Sequence, residues 1–403
     1  MNILVVAPYF APSSEVASAR MISLTSHLVN NGHHVSVVCW SKKKLLTIYD
    51  DKELSSSVPE GVDVIPLNFK SIGIPIIDDI VYGIRLKHFL SFSVDIKSYD
   101  LVFVTCGPYF SLEALPLLKK KYKTKIIIDF RDLGALNYRP SLGSETSKPA
   151  VSKLKKSVIN CYQWFVSRRE KRAVTIADAI ICVSKIDKEK MQTYYDIQDD
   201  NIIVASNGFD DNKLIDIKPC EKESGIVGAV FGKFMYYSRK RALALLIAID
   251  KQRENGVNIK LRHIGRNYDF IDEAISSNHI NPASFENIGL KEYREGMSIL
   301  GASDFFVVED TSPDDVGTKI YDYIFWNKPI IAAVPKNIPL AKLVSSFKHG
   351  YVCETEREIE QAINEIVANG YSFLDPDIDI SAYSRSFQND KIEELFIKVV
   401  LRR

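Results

Sequence analysis

The segment TSPDDVGTKIYDYIFWNKPI places a glycine and a lysine between the carboxylates of Asp314 and Asp322, which bound nine positions. Asp314 and Asp322 flank the step Gly317-Thr318-Lys319, and the apolar spacing after it predicts a helix capped by Thr318. Amides at a helix start, with Lys319 beside them, suit a diphosphate, and the carboxylates suit sugar hydroxyls. Alone, Asp322 would be a partner of the helix dipole and Asp314 an ordinary loop residue. The combination favours a binding site.

A second cationic segment is VFGKFMYYSRKRALALLIAI, in which a predicted strand ends at Gly232. Lys233 follows directly, and Arg239 stands six positions later. Two cations at this place would stabilise negative charge that develops on a leaving group. The alternative interpretation is a solvated basic helix start.

Two further polar segments follow predicted strands in the first half of the chain. The loop APYFAPSSEVASAR carries Ser13, Ser14 and Arg20, which could contact a phosphate or an acceptor; for Arg20 a surface role is the alternative. The strand of IIIDFRDLGALNY leads to Asp129 and Asp132, and carboxyl ends of parallel strands form the ligand edge of such sheets. Asp129 could instead be a structural cap.

These segments together resemble the GT-B glycosyltransferases, specifically glycosyltransferase family 4. That family has two glutamates separated by seven residues where this chain has Asp314 and Asp322, and a GKPV-like strand where it has NKPIIA. The pair Lys233 and Arg239 and the N-terminal loop ending in NNGHHVSVV are similar to the family's segments. Where the family usually has a Gly-Gly pair, this chain has Ser13-Ser14. The resemblance covers essentially the whole chain in family order.

The resemblance implies a hexosyltransferase that moves a sugar from a nucleotide-diphosphate-sugar to an acceptor hydroxyl, with retention and without a metal or other cofactor. Asp322 would hold the ribose and Asp314 the transferred sugar, while Asp132 would assist acceptor deprotonation. The acceptor would be a saccharide or a lipid-linked saccharide in cell-surface polysaccharide synthesis. A nucleotide-sugar epimerase of the same architecture and a non-catalytic nucleotide-sugar-binding protein are the alternatives.

The elements that must position these residues form two successive α/β series. NILVVA, HVSVVCW, LVFVTC and TKIIIDF are apolar runs typical of strands buried on both faces, and IVGAVFG, VNIKLRHIG and SDFFVVED begin the pattern again. We therefore expect an α/β protein with two Rossmann-like doubly wound domains facing across a cleft. The expected acceptor-side domain is 1–210, the nucleotide-sugar domain is 211–380, and 381–403 is a helix that packs back on the first domain.

Bulk composition excludes several classes of protein. The 403 residues include 52 basic and 51 acidic side chains, so the net charge of +1 gives no sign of a nucleic-acid partner. Six single cysteines without a CxxC favour reduced thiols in the cytoplasm. The sequence starts with a strand-like run and has no apolar run of about 18 residues, so neither a signal peptide nor a transmembrane helix is expected.

Charge is concentrated in one window of the first half. Residues 118–172 hold 15 basic and 4 acidic side chains. With the apolar segment IGIPIIDDIVYGIRLKHFLSFSV, this window predicts peripheral attachment to an anionic membrane on the inner face. Solvated helix faces are the alternative.

Overall fold

A computed structural model describes residues 1–13, 16–45, 57–136, 153–312, 316–369 and 373–402. The chain divides into two compact units, the first made of Met1–Ser206 and Arg385–Arg403 and the second of Asn207–Ser384. The expected boundary stood at residue 210. Phe209 lies in the second unit because its amide donates to the carbonyl of Tyr383 and its ring packs in that unit's core.

The first unit is built on a seven-stranded parallel sheet of order β3-β2-β1-β4-β5-β6-β7. Its strands are β1 (Asn2–Val6), β2 (His34–Trp40), β3 (Val62–Leu67), β4 (Leu101–Cys106), β5 (Lys125–Phe130), β6 (Ala179–Cys182) and β7 (Ile202–Val204). Alternate residues of β1 enter two different cores: Leu4 lies on one side of the sheet and Ile3 on the other. Burial on both faces explains why inner strands such as β1 and β4 appear in the sequence as apolar runs.

Helices cover both faces of this sheet. They are α1 (Val16–Asn30), α2 (Lys42–Leu45), α3 (Pro75–Phe92), α4 (Leu115–Tyr122), α5 (Lys153–Ile176) and α6 (Lys185–Tyr195), with 3₁₀ turns at Ile96–Ser98, Tyr109–Ala114 and Asp199–Asn201. No helix within the described ranges is both long enough and apolar enough to span a bilayer.

The second unit is built on a six-stranded parallel sheet of order β10-β9-β8-β11-β12-β13. The strands are β8 (Ile226–Phe231), β9 (Ile259–Ile264), β10 (Phe285–Asn287), β11 (Phe305–Val308), β12 (Ile330–Ala332) and β13 (Gly350–Val352). The helices are α7 (Asp211–Leu214), α8 (Arg239–Glu254), α9 (Asp269–Ser277), α10 (Tyr293–Ala302), α11 (Lys319–Phe325), α12 (Pro339–Val344) and α13 (Glu356–Asn369), with 3₁₀ turns at Pro282–Ser284 and Ile380–Tyr383.

The strand order reverses between β8 and β11. The strands that follow β8 in sequence lie on one side of it, and β11 with its successors lies on the other. Such a reversal opens a crevice at the carboxyl ends of the two strands, which is the usual ligand position in open α/β sheets. The predicted α/β class with two doubly wound parallel sheets is confirmed.

The last helix, α14 (Arg385–Leu401), returns to the first unit. Its apolar residues pack on the β1–β4–β5 face, where the rings of Phe396 and Phe103 lie 5.1 Å apart. Glu393 accepts hydrogen bonds from Asn31 at the end of α1 and lies 2.7 Å and 2.8 Å from the ring nitrogens of His27 and His33. This helix therefore completes the core of the unit that begins the chain.

Candidate functional site

The candidate site lies at the strand reversal of the second unit. Gly232 directly follows β8, and Glu309 and Asp310 directly follow β11. The two strands are paired, with Phe306 opposite Ala229, so their carboxyl ends lie side by side. The loop after β8 and the loop before α11 therefore meet at one edge of the sheet.

Lys319 is placed directly over Gly232. A Cβ atom on Gly232 would lie 1.2 Å from the Lys319 Nζ, and Gly232 has a φ of +100°, which a side chain rarely adopts. The Phe231 ring lies 5.6 Å from the same ammonium group. Gly232 is thus required twice, for its backbone conformation and for the space that Lys319 occupies.

Burial lowers the pKa of Lys319 to about 8, opposed by the carboxylates of Asp322 and Asp310 and assisted by the charge of Lys233. An ammonium group in a poorly solvated position gains more from an anionic ligand than an exposed lysine does, because less water screens the pair. The structure therefore brings the two lysines together with two aspartates, Asp310 and Asp322, where the sequence predicted an anion site.

Asp322 lies on α11 and is held by Tyr293 from the start of α10. The Tyr293 hydroxyl donates to the Asp322 Oδ1 at 2.6 Å, and the Tyr293 ring stacks on Phe231 at 6.4 Å. Sequence reasoning missed Tyr293. Its only signal is an aromatic side chain at the first turn of a predicted helix, which many core residues share.

The segment before α11 is shaped by Asp310. The Ser312 amide donates to the Asp310 Oδ1 at 3.0 Å, and a Cβ on Gly317 would lie 2.7 Å from the Oδ2. Thr318 precedes the helix, but it has helical dihedral angles, and within the described residues its side chain makes no capping hydrogen bond. The capping role predicted for Thr318 is therefore wrong, since an effective cap needs an extended backbone. Asp314 lies outside the described residues.

His263 on β9 fixes the peptide that carries Gly232. Its Nε2 lies 2.6 Å from the Gly232 carbonyl oxygen, and burial lowers the pKa of His263, so the neutral ring donates this hydrogen bond. A Cβ on Gly265 would lie 2.0 Å from the same oxygen, so this glycine leaves room for the contact. Sequence analysis did not single out His263, because a histidine within an apolar strand has no distinguishing pattern.

Lys233 and Arg239 have separate surroundings. The Lys233 Nζ lies 4.3 Å from the ring centre of Tyr236, and its charge lowers the pKa of Lys319, so it belongs to the same cluster. The Arg239 guanidinium stacks on Phe270 of α9 at 4.5 Å. The structure thus brings Lys233 to Lys319 and places Arg239 against an aromatic neighbour. The role of each in stabilising a leaving group stays a prediction.

In the first unit, two of the candidate residues, Arg20 and Asp129, are paired with each other. Arg20 is buried and pairs with Asp129, with Nε–Oδ2 and Nη2–Oδ1 distances of 3.1 and 3.2 Å, and it donates to the carbonyls of Ala205 and Ser206. These bonds tie α1 to β5 and to the chain after β7, which favours the structural role considered for Asp129. The surface role considered for Arg20 is wrong, because the side chain is buried, and its phosphate or acceptor role stays a prediction.

The other candidates of this unit are Asp132, Ser13 and Ser14. Asp132 is exposed just beyond β5, and its carbonyl accepts a hydrogen bond from Tyr109 at 2.8 Å. Ser13 is buried, with its amide bonded to the carbonyl of Phe10. Ser14 is outside the described residues. The acceptor and phosphate roles of these residues stay predictions.

Two doubly wound parallel sheets, the second with a cationic cluster at its strand reversal, define the GT-B class of architecture. Residues 17–213 match the family model described as Glycosyltransferase Family 4. The chain is thus a GT-B protein that is glycosyltransferase family 4-like, and the resemblance inferred from the sequence is confirmed. A comparison with curated protein sequences finds no match.

Solved structures that share this architecture include both transferases and epimerases. Sucrose-phosphate synthase from Thermosynechococcus elongatus has a TM-score of 0.61 and 14% identity, covering 100% of this chain and 97% of that one. Anabaena HepE in complex with UDP-glucose has a TM-score of 0.59 and 12% identity, covering 99% and 100%. UDP-GlcNAc 2-epimerase from Neisseria meningitidis bound to UDP-GlcNAc has a TM-score of 0.61 and 12% identity, covering 99% and 100%. At these identities the likeness concerns the fold.

Proposed function

We propose that this protein is a glycosyltransferase that transfers a sugar from a nucleotide-diphosphate-sugar to an acceptor hydroxyl. The observation that carries the proposal is the Lys319 ammonium group, held over Gly232 between Lys233 and Asp322 at the strand reversal. The match to glycosyltransferase family 4 and the UDP-glucose complex of HepE support it.

Each side chain of the cluster has a task in this reaction. Lys319 and Lys233, with Arg239, neutralise the diphosphate, whose charge grows as the sugar departs. Asp322 accepts hydrogen bonds from the ribose and Asp314 from the transferred sugar. Asp132 assists removal of the acceptor proton, and the reaction retains the configuration of the anomeric carbon. The acceptor is a saccharide or lipid-linked saccharide of a cell-surface polysaccharide.

The two aspartates separate donor binding from transfer. UDP contains ribose but no hexose, so Asp322→Ala should weaken UDP binding roughly tenfold or more, the loss of a charged hydrogen bond of about 1.5–3 kcal/mol. Asp314→Ala should leave UDP affinity nearly unchanged and depress transfer. Calorimetry with UDP and initial rates with labelled UDP-glucose measure both, with the exposed Asp377→Ala as control. Equal loss of UDP affinity in both site variants would contradict the assignment. If UDP does not bind, a thermal-shift screen of other nucleoside diphosphates supplies the probe.

An epimerase is the second candidate, because the epimerase from Neisseria meningitidis matches this fold as well as the transferases do. Incubation with labelled UDP-GlcNAc, with and without a saccharide acceptor, distinguishes the two. Formation of the epimerised sugar nucleotide in the absence of acceptor would identify an epimerase and contradict the proposal. Release of UDP that depends on the acceptor would support a transferase. Binding of the donor with neither product would identify a non-catalytic binding protein.

The proposed reaction needs no metal ion, because lysine side chains supply the positive charge. In the described part of the chain, one group of three side chains is close enough to hold a metal, namely His27, Asp390 and Glu393, and it belongs to the first unit. Transfer should therefore continue in excess EDTA. Complete loss of activity that Mg²⁺ or Mn²⁺ restores would contradict this part of the proposal.

We also propose that the enzyme works at the cytoplasmic face of an anionic membrane. Ile84 and Phe92 on α3 are 59% and 74% exposed, and Lys121 lies 5.5 Å from the Phe92 ring. Apolar side chains next to cations suit the interface of an anionic bilayer.

A further inference from the structure

Glu309 is a buried acid that the proposed reaction does not use. It is the first residue after β11, its side chain is 2% exposed, and neither carboxylate oxygen has a hydrogen-bond partner of normal geometry among the described residues. A buried carboxyl group in this condition is costly, and such groups concentrate at functional sites. It also lies at the strand reversal, beside Gly232.

The alternation of β11 shows which side of the sheet Glu309 faces. Phe305 and Val307 pack in the core that contains Met235, whereas Phe306 packs with the opposite core, which includes Tyr323. Glu309 stands two positions after Val307 and therefore lies on the same side of the sheet as Phe305 and Val307. It therefore faces the loop 232–238, while Asp310 faces the segment that leads into α11.

The charged and titratable groups around Glu309 come from three elements. The amides of Met235 and Tyr236 in the loop and the Arg241 charge from α8 lower its pKa, although none forms a hydrogen bond of normal geometry with its oxygens. From α11, Tyr323 is close enough for the Glu309 charge to raise its pKa. The middle of the loop is thus close enough to the acid to affect its ionisation.

This loop requires support from below. Met235 has a φ of +57°, an unfavourable backbone conformation for a bulky residue, and is 1% exposed. At the far end of the loop, Ser238 caps α8 by accepting from the Arg241 amide. Lys233 and its aromatic neighbour Tyr236 flank the strained residue, so a shift at Met235 would displace the lysine.

We propose that Glu309 is a positioning residue of the donor site, whose buried side chain supports the loop 232–238 from below and thereby fixes the place of Lys233. The inference rests on the proposed function for its ligand. The contact between acid and loop is a property of the free protein.

Ionisation of Glu309 provides a readout that a purely structural side chain would lack. Burial raises its pKa to about 8, so the group is protonated at neutral pH. Because the pKa is raised in the folded state, the protonated arrangement is favoured at lower pH and is lost as pH rises through about 8. A carboxylate beneath the loop adds negative charge near the site of a diphosphate, so UDP affinity must fall with it.

The test compares Glu309→Gln and Glu309→Ala with Glu273→Gln, which changes an exposed glutamate of α9. The neutral, similarly shaped Gln should bind UDP within about twofold of the original protein at pH 7, and Ala should bind roughly fivefold or more weakly because the loop loses its support. Above pH 8 the original affinity should fall by up to about a hundredfold per pH unit, since Lys319 titrates as well, and that of Glu309→Gln by about tenfold. Identical pH profiles, or full affinity in Glu309→Ala, would overturn the proposal.

A second measurement needs no ligand and separates this inference from the proposed function. Hydrogen exchange of residues 233–238 in the free full-length protein should be faster in Glu309→Ala than in the original protein, and unchanged in Glu273→Gln. If neither UDP nor any other nucleoside diphosphate binds, the donor assignment is wrong, while faster exchange still supports the positioning role. Unchanged exchange in a folded Glu309→Ala variant would refute it.

Discussion

At the scale of single residues, the place of Lys319 depends on the absence of a side chain at Gly232. Gly232→Ala should push the flexible end of Lys319 aside, because the new Cβ would occupy the position of the Nζ. UDP affinity should fall roughly tenfold or more. The positive φ adds a stability cost of about 1–2 kcal/mol.

Gly256→Ala is the matched control, because Gly256 has a φ of +86° and nothing within 4 Å of its new Cβ. It should carry the same backbone cost and bind UDP normally. Thermal unfolding and calorimetry of both variants test this. Normal UDP affinity in Gly232→Ala would show that the place of Lys319 does not determine binding.

Binding of a diphosphate should also be accompanied by proton uptake at Lys319. Its pKa is about 8 in the free protein, and a bound diphosphate raises it, so the charged form is favoured in the complex. In the Glu309→Gln background, which removes the other nearby group, binding at pH 8 should take up about half a proton. Calorimetry in two buffers of different ionisation enthalpy measures this number. Adding Lys319→Met should reduce it to near zero, and an unchanged value would exclude Lys319 as the source.

Site residues that lie close together along the chain could be predicted from the sequence. Lys319 and Asp322 share one segment, and Gly232 and Lys233 end a recognisable strand. Tyr293, in contrast, reaches Asp322 from 29 positions away. The Arg20–Asp129 pair joins positions 109 apart, and only the folded sheet shows that Arg20 is occupied there. Pairing between distant segments leaves no signal in a single sequence.

At the scale of elements, strands were easier to predict than loops. LVFVTC is buried at every position of β4, so its apolar run is a direct record of burial. The start of α11 was less predictable, because Thr318 has the residue type of a cap without its geometry. Side-chain type sets a preference at a helix start, and the neighbouring loop decides the dihedral angles.

The exposed face of α3 allows a test of the proposed membrane contact. Ile84→Glu should weaken binding to anionic liposomes roughly tenfold or more, because burying such a side chain contributes about 1.5–3 kcal/mol. Ile247→Glu is the control, since Ile247 is a 47% exposed isoleucine on α8. Cosedimentation at low and high salt measures binding, which salt should weaken. Equal binding to neutral and anionic liposomes would contradict the proposal.

At the scale of the whole molecule, the two units differ in how the chain builds them. The second unit is one continuous segment, Asn207–Ser384, with its own cores on both faces of its sheet. The first unit is discontinuous, since its last helix, α14, arrives after the second unit is complete. The sequence showed two α/β series, but the closing helix is specified by contacts between distant positions, such as the Ser206 amide with the Gln388 side chain at 3.1 Å, 182 positions apart.

This difference predicts which part of the chain can fold without the rest. Residues 207–384 alone should unfold cooperatively and bind UDP within about tenfold of the full chain, because Gly232, Lys319 and Asp322 all lie within them. Residues 1–206 alone should aggregate, since loss of α14 exposes the face on which Phe396 packs. Joining residues 385–403 to Ser206 through a short flexible linker should restore folding, because Ser206 already contacts Gln388. Expression, thermal unfolding and calorimetry of the three fragments test this.

Cooperative folding of residues 1–206 without α14 would show that the returning helix is dispensable to that core. A folded second unit without UDP affinity would show that its cationic cluster alone does not hold the donor.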